Sequence, residues 1–118
     1  MIKIETAYKY AATVTKVVDG DTIDAIVDLG YRISANIRFR VKDFNAPEIY
    51  RPKDADELAA GKESKALAES LLLNQDVMIQ SFKEGPYNRW EAIITLEDGR
   101  DFVDVMVENG CGLKEIYG

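Results

Sequence analysis

Arg40 stands five residues ahead of the run Asn45-Ala46-Pro47-Glu48, a spacing that joins a guanidinium to an amide, a stiffened backbone and a carboxylate. Proline biases the residue before it toward extended geometry. That aims the Asn45 side chain and the Ala46 carbonyl as a ligand pair would be aimed, and delivers Glu48 at a fixed offset; a plain strand exit would use the same residues. Upstream, Val17-Val18-Asp19-Gly20-Asp21-Thr22 contains the commonest hairpin dipeptide. Asp98-Gly99 uses that dipeptide with no companion chemistry, whereas Asp21 adds a carboxylate that can ligate a hard cation. Arginine usually ends as solvated surface, but Arg40 and Arg89 are the residue type suited to two-pronged phosphate contact and to a developing oxyanion. Tyr50 and Tyr87 can stack on bases, although packed or exposed tyrosines are commoner. Brought together, these groups would be equipment for cutting a phosphodiester.

Composition narrows the alternatives. The 118 residues contain no histidine, which removes Ser-His and Cys-His triads, histidine acid–base chemistry and histidine metal sites. Cys111 is the single cysteine, so neither an intrachain disulfide nor a multi-thiolate zinc site can form. The net charge of −6 speaks against a tight, non-catalytic binder of polyanions, while a cation-binding site must itself collect acids. Met1 to Tyr10 lacks the apolar run of a signal peptide, and no stretch approaches the roughly 20 apolar residues of a membrane span. The expectation is a soluble cytoplasmic protein with no membrane contact, taken as a monomer.

The elements that must position the chemistry follow from periodicity. Residues 1–10 read as an N-terminal arm or edge strand and Ala11 to Val18 as the first strand, with a turn at Asp19-Gly20 that calls for positive φ. The second strand, Thr22 to Leu29, puts Ile23, Ala25, Val27 and Leu29 on its buried face. In the third, Ile33, Ala35, Ile37, Phe39 and Val41 alternate with Arg32, Ser34, Asn36, Arg38 and Arg40, so Arg38 and Arg40 share the polar face. Residues 42–59 read as a loop, and Gly61 to Leu73 as a helix with Ser64, Leu67, Ala68, Leu71 and Leu72 along one stripe. Two strands follow, Val77 to Lys83 and Arg89 to Leu96, the latter with Trp90, Ala92, Ile94 and Leu96 facing inward. Asp101 caps a short helix through Asn109, burying Phe102, Val105 and Met106, and Gly110 suits the C′ position. This order predicts one domain over 1–118, mainly β with helices (α+β). Its pattern is the five-stranded Greek-key barrel of the OB-fold, with a long helix between strands three and four.

Taken in register, the residues resemble the staphylococcal nuclease (thermonuclease) family. The likeness rests on Val17 to Thr22, on Arg40 with Asn45-Ala46-Pro47-Glu48, and on Gly61-Lys62-Glu63-Ser64. Tyr87-Asn88-Arg89 and Asp98-Gly99 leading to Val107-Glu108-Asn109-Gly110 complete it, over roughly residues 11–117. The resemblance implies calcium-dependent cleavage of DNA or RNA, single-stranded by preference, leaving 3′-phosphate ends. It implies Asp21, Asn45 and the Ala46 carbonyl as metal ligands, Glu48 acting on the attacking water, and Arg40 and Arg89 on the phosphate. Asp19, Thr22, Arg38, Tyr50 and Tyr87 are the expected supporting or substrate-binding residues. Asn45 stands where the family usually has Asp, so it offers an oxygen without charge and metal affinity should fall. The rival expectations are a catalytically weakened OB module that binds single strands or a protein partner, and a structural subunit built on the same barrel.

Overall fold

The computed structural model describes residues 8–47, 49, 52–84 and 89–115. Its elements run β1 (Lys9–Asp19), β2 (Thr22–Gly30), β3 (Ile33–Val41), β4 (Phe44–Asn45), α1 (Ala55–Leu72), β5 (Asp76–Glu84), β6 (Arg89–Thr95), α2 (Phe102–Glu108) and β7 (Leu113–Lys114). Five strands close a barrel in the order β1-β2-β3-β6-β5, with β1 and β5 pairing to seal it, and β4 and β7 form a small separate ladder. The five-stranded barrel with two helices expected from the sequence is therefore present, consistent with an OB-fold. Among the described residues no helix is long and apolar enough to cross a membrane.

Inward-facing residues fill the barrel: Val14, Ile23, Ala25, Val27, Phe39, Val41, Ile79, Ala92 and Ile94 are all buried. Each large apolar side chain so removed from water contributes about 1.5–3 kcal/mol. Helix α1 packs on β1 and α2 through Gly61, Ser64, Ala68 and Leu72. Phe44 meets Phe102 edge-on at 6.3 Å between ring centroids. That contact ties the short β4 to α2, and with them the segment that carries Asn45.

Several sequence expectations shift. β1 starts at Lys9, because Lys9 and Tyr10 pair with Gln80 and Ile79 rather than hanging free as an arm. The stretch 42–59 is not wholly loop. It holds β4 and the first turns of α1, which begins at Ala55 where the Asp54 side chain accepts from the Glu57 amide. Asp54 and Glu57 stand at capping-box spacing, a start signal that outranks Gly61. On β3 only Phe39 and Val41 are buried, and Ile33 is 57 % exposed. The cause is topological: β6 pairs β3 only over Phe39–Val41, so the far half of the β2–β3 hairpin has β2 alone beside it. Leu29, near the same end of that hairpin, is exposed for the same reason. Trp90, expected inward, is 40 % exposed at the end of β6.

Candidate active site

The β1–β2 turn is held by close approach rather than by unusual backbone angles. Gly20 is buried and does not take the positive φ expected of it. A Cβ there would lie 2.1 Å from Ser64 Oγ and 2.7 Å from Ala46 Cβ. Glycine is thus required so that turn, helix α1 and the Asn45-Ala46 segment can meet. Ser64 is fully buried and donates to the Cys111 carbonyl at 2.8 Å, which satisfies its hydroxyl and links α1 to the chain after α2.

Asp21 draws three segments together. Its carbonyl accepts from the Val41 amide at 2.8 Å, fixing the turn beside the end of β3. Its carboxylate accepts from the Ala46 amide at 3.0 Å and from the Thr22 hydroxyl at 3.2 Å. Arg40 then lies between them. Its Nη2 donates to the Phe44 carbonyl at 3.1 Å and to the Asn45 side-chain oxygen, and sits 3.7 Å from both the Asp21 and the Glu115 carboxylates. The Arg40 side chain is 23 % exposed and that of Asp21 14 %, so their charges act through a poorly screened medium.

Asp19 supports the turn by accepting from the Asp21 amide at 3.0 Å. Burial, then a hydrogen bond and like charge from Asp21, push the Asp19 carboxyl up to about 7. Near neutrality it can carry a proton and donate to its neighbour.

Arg40 and Arg89 reach one polar cavity of about 210 Å³, also lined by Asn45. Parallel pairing of Arg40 with Glu91 brings the start of β6 beside the end of β3. Among the described residues, three cations (Arg40, Lys42, Arg89) and three acids (Asp43, Glu91, Glu115) line it. Glu91 stands 3.7 Å from Arg89 and 3.9 Å from Lys42. Arg38 points its guanidinium at Asp24 in a two-pronged pair of 2.7 and 3.0 Å, and does not line this cavity. Glu48, Tyr50 and Tyr87 lie outside the described residues.

Glu91, Glu115 and Lys42 were not singled out in the sequence. Glu91 carried a usable signal, since two residues beyond Arg89 on a strand is the same face. Glu115 carried none. Its place depends on β7 pairing with β4 and on its amide donating to the Asp43 carbonyl at 2.9 Å, contacts between distant segments. Asp43 itself sits at φ 55°, a left-handed conformation that Asp tolerates better than most residues.

As to a metal, the donor set of carboxylate, amide oxygen and main-chain carbonyl is all hard oxygen and fits a cation such as Ca²⁺. Among the described residues no three Asp, Glu, Cys or His side chains gather into a metal-holding group. Arg40 borders two of these oxygens, those of Asp21 and Asn45.

The family model described as staphylococcal nuclease homologue matches residues 38–117, well over half of the chain. The match begins at Arg38, so the turn bearing Asp21 lies outside it, and the hydrogen bonds to Val41 and Ala46 bring that carboxylate to the matched part. No curated protein matches the chain.

Proposed function

Because the chain belongs to the staphylococcal nuclease homologues, we propose that it is a calcium-dependent nuclease that hydrolyses phosphodiester bonds of DNA or RNA. Single strands are the favoured substrate and 3′-phosphate ends the product. The observation that carries this reading is the convergence on Arg40: Asp21 from a hairpin turn, Asn45 from a short strand, and Arg89 across a shared cavity.

In this reading Asp21, Asn45 and the Ala46 carbonyl hold the cation, which supplies Lewis-acid polarisation of a phosphoryl oxygen when bound. Arg40 and Arg89 grip the phosphate from two strands and stabilise the charge that builds on it in the transition state. Glu48 takes a proton from water as the water oxygen bonds to phosphorus. The bond to the 5′-oxygen breaks and that oxygen takes a proton from solvent water, leaving a 5′-hydroxyl and a 3′-phosphate, while Glu48 returns its proton to solvent. Glu91 and Glu115 counter the guanidinium charge in the free protein, so an incoming phosphate competes with them and binding is moderate rather than tight.

The test is incubation of purified protein with heat-denatured DNA in Ca²⁺, then with excess chelator. Chelator-sensitive shortening of the strands supports the nuclease. Retention of DNA without shortening supports the weakened binding module, a reading favoured by the uncharged Asn45 and the balanced charges of the cavity.

A further inference from the structure

Back to back with the polar cavity lies a second one of a different character. It has a volume of about 540 Å³, within the usual range of ligand sites. Five of its described lining residues are aromatic: Tyr8, Tyr10, Phe39, Phe82 and Trp90. Successive residues of a strand face opposite sides. On β6, Arg89 therefore lines the polar cavity and Trp90 the aromatic one, and on β3 the same holds for Arg40 and Phe39. Arg89 and Trp90 are the first two residues of β6, so the two cavities lie on opposite sides of the same strand end.

Trp90 is not packed as its position suggests. Its register partner Phe39 is 1 % exposed, while Trp90 is 40 % exposed and Tyr8 57 %. Both rings thus offer partly solvent-facing aromatic surface at the cavity they line, the kind of lining that ligand sites use. The electrostatics select the ligand. In a chain of net charge −6, Lys83 is the one charged side chain among the described lining residues, and none is acidic. Lys83 Nζ stands 5.6 Å from the Trp90 ring centroid, and Lys42 Nζ 4.9 Å from that of Phe82. Lys42 also lines the polar cavity, so its ammonium touches the lining of both. A cationic ligand would meet these ammonium groups, whereas a flat aromatic ring on an anionic strand is matched on both counts.

We propose that the aromatic cavity is a stacking subsite for one unpaired nucleobase of the strand whose phosphate lies at Arg40 and Arg89. The proposal rests on the nuclease reading above and gives it a structural source of single-strand preference. A base inside a duplex must be unpaired and unstacked before it can enter.

Trp90 is the single tryptophan of the chain, so its fluorescence reports the subsite directly. In chelator, to prevent cleavage, wild-type protein is titrated with a single-stranded oligodeoxynucleotide, with an abasic strand of equal length, and with a duplex. Saturable quenching by the base-bearing single strand alone is expected. Anisotropy of a labelled single strand should show Trp90→Phe binding nearly as wild type and Trp90→Ala binding roughly 5- to 150-fold more weakly. Absent quenching, equal quenching by the abasic strand, or unchanged affinity of folded Trp90→Ala overturns the subsite. Cleavage with Ca²⁺ is scored separately. Cleavage without quenching removes the subsite and leaves the nuclease, while quenching without cleavage keeps the subsite and removes the nuclease.

Discussion

Gly20→Ala should unseat the turn that carries Asp21. The new Cβ would lie 2.1 Å from Ser64 Oγ, 2.7 Å from Ala46 Cβ and 3.1 Å from Ser64 Cβ. Rotating the Ser64 hydroxyl away relieves the first contact but breaks the bond of this buried hydroxyl to the Cys111 carbonyl, at a cost of about 1–3 kcal/mol. The Ala46 and Ser64 Cβ atoms cannot rotate, so the backbone must shift, at a further cost of about 1–3 kcal/mol. Loss of unfolded-state freedom returns only about 0.4–1 kcal/mol. A net loss of about 1–5 kcal/mol lowers Tm by on the order of 10 °C in a chain of this length. Thermal melts followed by circular dichroism read this directly. Ser64→Ala is the second arm: it destabilises alone, but it removes the worst clash, so the double variant should lose less than the sum of the two. A Gly20→Ala protein melting within about 2 °C of wild type would refute the packing argument.

Three other outcomes follow from the site. Arg40→Lys replaces a planar guanidinium, whose Nη2 reaches both Phe44 and Asn45, with a single ammonium that cannot also grip a phosphate in two prongs; cleavage should fall about 10²–10³-fold with the melt little changed, as read in steady-state kinetics. Asn45→Asp restores a second charge beside Asp21 and should lower the Ca²⁺ midpoint for cleavage roughly tenfold, as read by metal titration. Asp19→Asn tests the raised carboxyl: with a folded value of about 7 above an ordinary 3.8, the stability that Asp19 contributes at low pH is lost as pH rises through that window. The gap converts to about 4 kcal/mol at most, and screening of a half-buried group cuts it to about 1–2 kcal/mol. In chelator, the variant should therefore match wild type near pH 4 and exceed it by that amount at pH 8, in denaturant melts.

What the sequence made legible was local. The Asp-Gly turn, the alternation of β3 and the Arg40-to-Asn45 spacing each concern neighbours along the chain, and the structure joins all three through Asp21. The Asp54 cap was equally local, and reading it at its Glu57 partner would have placed the helix start. Ile33 and Trp90 were misplaced because alternation tells which face a residue takes, not where the neighbouring strand stops. Glu115 was invisible for the same reason: its approach to Arg40 needs β7 laid against β4, a pairing of two residues each with no periodic pattern of its own. Glycine at position 20 was read as a requirement of backbone angle, whereas the constraint is space set by a helix more than forty residues away.

The reading of this rim as a cleavage centre turns on the carboxylate that follows Pro47. Glu48→Gln keeps the shape of the side chain and removes its basicity, and single-turnover cleavage of denatured DNA in Ca²⁺ compares it with wild type. The variant's rate should be about 10²–10⁴-fold lower, with an unaltered circular dichroism spectrum and melt. A folded Glu48→Gln protein that cuts at close to the wild-type rate would contradict that reading.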